Sequence, residues 1–129
     1  MRNSEPLYVI SVASRLLQLH PQTLRKYERV GFVVPSRTTG NLRLYSSDDI
    51  QRLLQVKRLV EDRGVNLAGV EMALDVTREI RVLQNELRAL GRKEYDHIAS
   101  RLDGILALID ADPDMNQEEL ATYESESAD

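Results

Sequence analysis

Pro21 and Gly31 fix the ends of a short helix, and the residues between them give it two faces of opposite character. Proline is well tolerated at the first helical position and glycine just past the last, so the pair brackets the element. At 100° per residue, Gln22, Arg25, Lys26 and Arg29 share an arc of about 100°, while Leu24 points the other way. A helix with a cationic outer arc and an apolar inner one can sit on a small core and lay its charges in a DNA groove.

The flanking sequence extends that reading. Leu7-Tyr8-Val9 suits a short strand, and Ser11 is the expected N-cap of a helix carrying Val12, Ala13, Leu16 and Leu17 on one face. Only a short turn separates this helix from Pro21, the spacing of a helix-turn-helix. After Val33-Val34-Pro35, the residues from Arg37 to Tyr45 alternate around Gly40-Asn41, which predicts a β-hairpin, or wing. Ser46-Ser47-Asp48-Asp49 opens a helix bearing Ile50, Leu53, Leu54, Val56, Leu59 and Val60 and running to Gly64. Asn66 caps a further helix with Leu67, Val70, Leu74 and Val76.

The pattern then changes. Ile80, Leu83, Leu87 and Leu90 are spaced as a coiled-coil seam. Gly91 interrupts it, and Tyr95, Ile98, Leu102, Ile105 and Ile109 repeat the spacing in a shifted phase. Such seams can pack within the chain or against a second subunit. Contact between subunits is favoured for residues 80–90, because a winged head gains affinity by pairing half-sites. The expected fold is mainly α: a winged helix-turn-helix head with a small β-hairpin wing, followed by a C-terminal helical dimerisation segment. Its divisions are a DNA-binding domain over 1–76, a helical segment over 77–110 and an acidic, disordered tail over 111–129.

The net charge of −4 conceals an asymmetry. Residues 1–45 hold seven Lys/Arg against Glu5 and Glu28, whereas residues 110–129 hold eight Asp/Glu and no Lys or Arg. A basic end and an acidic tail suit a nucleic-acid binder. There is no cysteine, which excludes disulfides and thiolate metal sites. His20 and His97 lie far apart in sequence, and no spacing suggests a metal, a cofactor or a nucleophile–base pair, so the chain does not read as an enzyme. The N-terminus lacks an apolar signal core and no stretch is long enough to span a membrane, so a soluble, cytoplasmic, nucleoid-associated protein is expected.

DNA affinity comes largely from neutralised phosphates, and sequence choice from base edges. Arg25 is the first candidate for a base contact, because a guanidinium can bond guanine O6 and N7 together. Gln22 can read adenine in the same groove. Lys26, Arg29 and the Tyr27 hydroxyl suit phosphate. His20 and Thr23 lie near the helix N-terminus, where an anion is favoured. In the wing, Arg37, Asn41 and Arg43 can reach flanking backbone or minor groove. Tyr27 is read equally as core, Tyr45 as structural, and Glu28, near the inward arc, as the partner of a local arginine.

The run from Ile10 to Ile50 resembles the DNA-binding domain of the MerR superfamily of bacterial regulators. The resemblance rests on Ile10-Ser11-Val12-Ala13, Thr23-Leu24-Arg25, Tyr27-Glu28-Arg29, Gly31, Pro35, Arg37, Arg43, Tyr45 and Asp49-Ile50. Within it, His20 to Arg25, Arg37-Thr38, Tyr45-Ser46 and Gly64-Val65-Asn66-Leu67-Ala68-Gly69-Val70 are similar to the HspR branch of heat-shock repressors. The resemblance implies a homodimer joined by antiparallel C-terminal helices, an inverted-repeat operator in double-stranded DNA upstream of chaperone genes, and the chaperone DnaK as co-repressor. Lys26-Tyr27 stands where many such heads carry two tyrosines, and Leu42 where a tyrosine often precedes the wing arginine. Two other functions stay open from the sequence: a ligand-responsive activator of the same superfamily, and an architectural or excision factor that bends DNA.

Overall fold

The computed structural model describes residues 7–113. They gather into two compact units, one reaching Leu54 and the other spanning Gln55–Pro113.

In the first unit, strand β1 (Leu7–Val9) runs directly into helix α1 (Ile10–Leu17). The helix therefore begins before Ser11, with an extended Val9 at its N-cap and no side-chain cap. This corrects the expected role of Ser11, and the cause is the sheet: Val9 is held opposite Leu44, which leaves no loop in which a cap could form. At the other end of α1, Gln18 turns left-handed at φ +55° and the Leu19 N–H donates to Ser14 O at 3.0 Å. That turn buries Leu19 and delivers the chain to α2 (Pro21–Arg29).

Helix α2 stops where the sequence places its end. Gly31, at φ +86°, donates to Glu28 O at 3.0 Å, and the Phe32 N–H donates to Tyr27 O at 2.9 Å. These are the paired bonds of a Schellman motif, and the accompanying apolar contact is present, the Tyr27 and Phe32 rings lying 5.7 Å apart. Strands β2 (Ser36–Arg37) and β3 (Arg43–Ser46) form the wing, and the antiparallel sheet has the order β1-β3-β2. In the wing turn the Asn41 N–H donates to Thr38 O at 2.9 Å, and the left-handed residue is Asn41, at φ +67°. Helix α3 (Ser47–Lys57) opens with a reciprocal cap: Asp49 N–H donates to Ser46 Oγ at 3.0 Å and Ser46 N–H to Asp49 Oδ2 at 2.9 Å. Ala13, Leu17, Leu24, Tyr45, Ile50 and Leu53 are fully buried and form this unit's core. Each large side chain among them contributes about 1.5–3 kcal/mol through burial.

In the second unit the chain passes from Lys57 into a π-helical turn (Arg58–Asp62), which Gly64 ends at φ +66°. The helix expected to continue to Gly64 thus changes its hydrogen bonding after Lys57. Asn66 caps α4 (Leu67–Ala89), its Oδ1 accepting from the Gly69 N–H at 2.8 Å. This helix is continuous through both the capped segment and the coiled-coil seam. After Gly91, at φ +70°, comes α5 (Lys93–Ala107), which packs back on α4.

The face that α4 turns inward is partly polar. Val70, Leu74, Thr77 and Gln84 are its buried residues. Gln84 Nε2 donates to Ala99 O at 2.9 Å and to Asp103 Oδ1 at 2.7 Å. Gln55 Nε2 donates to Thr77 Oγ1 and to Ile109 O, both at 2.9 Å. Past α5 the chain is held by cations: Arg58 Nη1 lies 2.7 Å from Asp112 Oδ2, Arg63 Nε 2.6 Å from Asp110 Oδ2, and Arg81 Nη2 donates to Asp112 O at 2.8 Å. Ala111 is buried beside them in sequence, and residues 114–129, most of the expected acidic tail, lie outside the described residues. No described helix is long and apolar enough to cross a membrane.

A Cβ at Gly69 would stand 2.6 Å from Val65 Cγ1 and 3.3 Å from Asn66 Oδ1. Helix propensity alone favours Gly69→Ala by about 1 kcal/mol. The overlap reverses the sign, and we expect Gly69→Ala to lower stability by about 1–2 kcal/mol, measured by urea unfolding.

Candidate nucleic-acid interface

Helix α2 separates its residues as the sequence arc requires. Leu24 and Tyr27 are buried, Gln22, Lys26 and Arg29 are exposed, and Thr23 and Arg25 are half-buried on the margin. Tyr27, at 4% exposure, stands in the core against Phe32.

His20 is an N-cap. Its Nδ1 accepts from the Gln22 N–H at 3.0 Å, satisfying one of the free donors of the first turn. With Nδ1 occupied as an acceptor, the neutral ring carries its proton on Nε2, a donor on an exposed side chain. The cap thus also sets which tautomer the first turn of α2 presents.

The wing is tied to α2 by one carboxylate. Arg37 and Arg43 are directly opposed across β2 and β3. Glu28 Oε1 lies 2.6 Å from Arg43 Nε, and its Oε2 lies 3.1 Å from Arg37 Nη2. Arg37 also donates through Nη1 to Asn41 O at 3.3 Å, which holds the wing turn. The partners of Glu28 are therefore strand residues far along the chain. The Arg43 hydrogen bond is the main influence holding the Glu28 carboxyl below its usual range; burial opposes it, and Arg37 adds to it. The same bond pushes the Arg43 guanidinium up.

Arg43 and Tyr45 are two apart on β3 and so project from one face. Tyr45 is fully buried, and its hydroxyl has no hydrogen-bond partner among the described residues. Burial pushes its pKa up, with a further push from Glu28. Tyr45 is thus a core residue.

The structure brings together Arg37, Asn41, Arg43 and α2 through Glu28, and presents Gln22, Lys26 and Arg29 outward. Sequence reasoning found these residues but not the bridge, because Glu28 joins residues 9 and 15 positions downstream. The hairpin pattern together with the inward-leaning Glu28 was the available signal.

In the helical unit, Leu83 and Leu90 are 44% and 61% exposed, and Ile80 and Leu87 are half-buried. At 100° per residue this seam is centred about 120° from the buried residues of α4. Ile98 and Ile105 of α5 are exposed as well. Among the described residues no group of three or more His, Cys, Asp or Glu is placed to hold a metal ion.

The acid response of the clamp has a definite sign. A carboxyl whose folded pKa is depressed stabilises the fold above its unfolded pKa, and this is lost as pH falls through the folded value. The stability difference between wild type and Glu28→Gln should therefore be largest near neutral pH and shrink below about pH 4.5, as read by urea unfolding across a pH series. Asp49, which burial pushes up, has the opposite sign and does not account for such a loss.

Residues 8–77 match the family described as MerR HTH family regulatory protein. The chain is 42% identical over 120 residues to a Streptomyces coelicolor protein named "Putative heat shock protein HspR", covering 93% of this chain and 70% of that one. It is 36% identical over 107 residues to the HTH-type transcriptional regulator GlnR of Bacillus anthracis, covering 74% of this chain and 82% of the relative. With the HTH-type transcriptional regulator MlrA of Escherichia coli it shares 39% identity over 69 residues, 53% of this chain and 28% of that protein.

Proposed function

The chain belongs to the MerR HTH family of regulatory proteins, and from that premise we propose that it is an HspR-type repressor of heat-shock and chaperone genes, binding an inverted-repeat operator as a homodimer. That it is a DNA-binding transcriptional regulator follows from the family. The repressor reading is supported by a likeness to the HspR relative that extends past the head into the helical segment. The observation that carries the DNA-binding geometry is the division of α2 into a buried Leu24–Tyr27 side and an exposed Gln22, Lys26 and Arg29 side, with Arg25 on the margin.

In this reading residues 1–76 are the DNA-binding head, 77–110 the dimerisation segment and 111–129 an acidic tail. Arg25 and Gln22 read base edges. Lys26, Arg29, Arg37 and Arg43 meet phosphates, and His20 and Thr23 supply donors at the first turn of α2. Tyr27 acts through the core and Asn41 through the wing turn. Ile80, Leu83, Leu87 and Leu90 form the contact between subunits. Two heads related by a two-fold axis would then meet half-sites about 10 bp apart, or a multiple of that. DnaK is the proposed co-repressor, and its addition should raise operator occupancy at a fixed repressor concentration.

The test is to incubate the protein with sheared genomic DNA of its source organism and sequence what is retained. Inverted repeats at chaperone promoters are expected; sites within promoter spacers or clustered away from promoters would overturn the repressor reading. On the recovered duplex, Arg25→Ala should cost about 1–3 kcal/mol and relax sequence choice, whereas Lys26→Ala should weaken all duplexes alike. Equal losses on recovered and random DNA for Arg25→Ala would remove its base-reading role. For the seam, Leu83→Asp with Leu87→Asp should give a monomer by light scattering and abolish binding to the full repeat. A dimer of unchanged mass would move the subunit contact elsewhere.

A further inference from the structure

We propose that Glu28 is a positioning residue of the DNA interface: by holding Arg43 and Arg37 on its two carboxylate oxygens, it fixes the wing to the recognition helix so that both meet DNA as one body. The inference rests on the reading of α2 and the wing as the DNA-contacting surface.

Four observations carry it. First, Arg37 and Arg43 are a directly opposed cross-strand pair, an arrangement that repels unless an anion lies between the cations. Glu28 supplies that anion, with one oxygen for each guanidinium. Second, Glu28 is itself fixed, because Tyr27 beside it is buried and the Schellman bonds to Gly31 and Phe32 lock the last turn of α2. Third, the clamp leaves donors over. Glu28 takes Nε of Arg43, and among the described residues both of that residue's terminal nitrogens remain for a phosphate. Fourth, the fork of Arg37 also holds Asn41 O, so the clamp reaches the wing turn.

The sign of the effect separates this role from simple charge. An acidic side chain beside phosphate-binding arginines should repel DNA, so by Coulomb's law alone its removal strengthens binding. If Glu28 instead positions the arginines, removal weakens binding even though the head becomes more positive. The number of phosphates engaged should also fall, and that number is read directly from the salt dependence of binding.

The experiment measures binding of the full chain by fluorescence anisotropy over a salt series. The probes are a duplex selected from a random library on the wild-type protein and a shuffled duplex of equal length. For Glu28→Gln we expect at least a tenfold loss on the selected duplex, with a slope of log K against log salt shallower by about one to two units. Glu28→Asp keeps the charge but is one methylene shorter and reaches one arginine, so it should fall between. A merely structural role would lower the melting temperature and leave the slope unchanged. Binding by Glu28→Gln that equals or exceeds wild type, with an unchanged or steeper slope, would overturn the proposal. Should Glu28→Gln fail to fold, wild-type affinity and slope in Glu28→Asp would overturn it equally. If wild type does not prefer the selected duplex, and Arg25→Ala and Lys26→Ala change nothing, the DNA-contact reading itself fails and the inference falls with it. If those controls behave as expected, the outcome for Glu28 stands alone.

Discussion

Arginines directly opposed across two strands repel one another, and the form of the wing depends on how that repulsion is relieved. Here the neutralising group comes from outside the ribbon, from the last turn of the helix carrying the outward cationic arc. One ionic cluster therefore does two things: it offsets the repulsion within the wing, and it sets the wing's place relative to α2. The other fixings of α2 serve the same end. His20 satisfies its first turn, Gly31 and Phe32 close its last, and Leu24 and Tyr27 hold its inner side on the core. A helix fixed at both ends and along one side can hold a second element in register.

Much of the head was legible because its boundaries are written in residues with a single strong preference. Pro21, Gly31, the Ser46–Asp49 box and Asn66 all act where the sequence places them. The failures have physical causes. Gln18 adopts a left-handed conformation that nothing in glutamine announces; the buried Leu19 and the return to Pro21 impose it. Ser11 has the right chemistry for a cap but no role as one, because strand pairing carries the backbone straight into α1. The wing turn was located, yet its left-handed residue is Asn41 while Gly40, the more permissive neighbour, does not need that freedom. The change to π bonding after Lys57 left no sequence signal at all.

The candidate interface divides in the same way. Helical geometry alone assigns Gln22, Lys26 and Arg29 to the outside and Leu24 to the inside, because it depends on spacing within one element. Relations between elements are not encoded so locally. The Glu28 clamp needs both the hairpin register that opposes Arg37 to Arg43 and the approach of α2 to β3. His20 stands at a helix end that favours an anion, but its Nδ1 is committed to the helix itself. Tyr27, read equally as ligand and as core, stands in the core.

Helix α4 shows why apolar periodicity can mislead about packing within one chain. Its most regular apolar stripe, Ile80, Leu83, Leu87 and Leu90, is not its buried one, which includes Thr77 and Gln84. A buried glutamine joined to Ala99 O and Asp103 contributes less through burial than a leucine would, but it has few acceptable registers. An apolar hairpin could slide by a turn and still bury its side chains, whereas a displaced Gln84 would carry its buried amide away from the Ala99 O and Asp103 acceptors. Polar packing inside the hairpin thus fixes its register, while Leu83 and Leu90 of the regular seam stay exposed and Ile80 and Leu87 are half-buried. A periodic apolar stripe that the chain leaves exposed at Leu83 and Leu90 supports the proposal of an external contact. This division of labour on one helix is the physical ground on which we propose that the seam meets a second subunit.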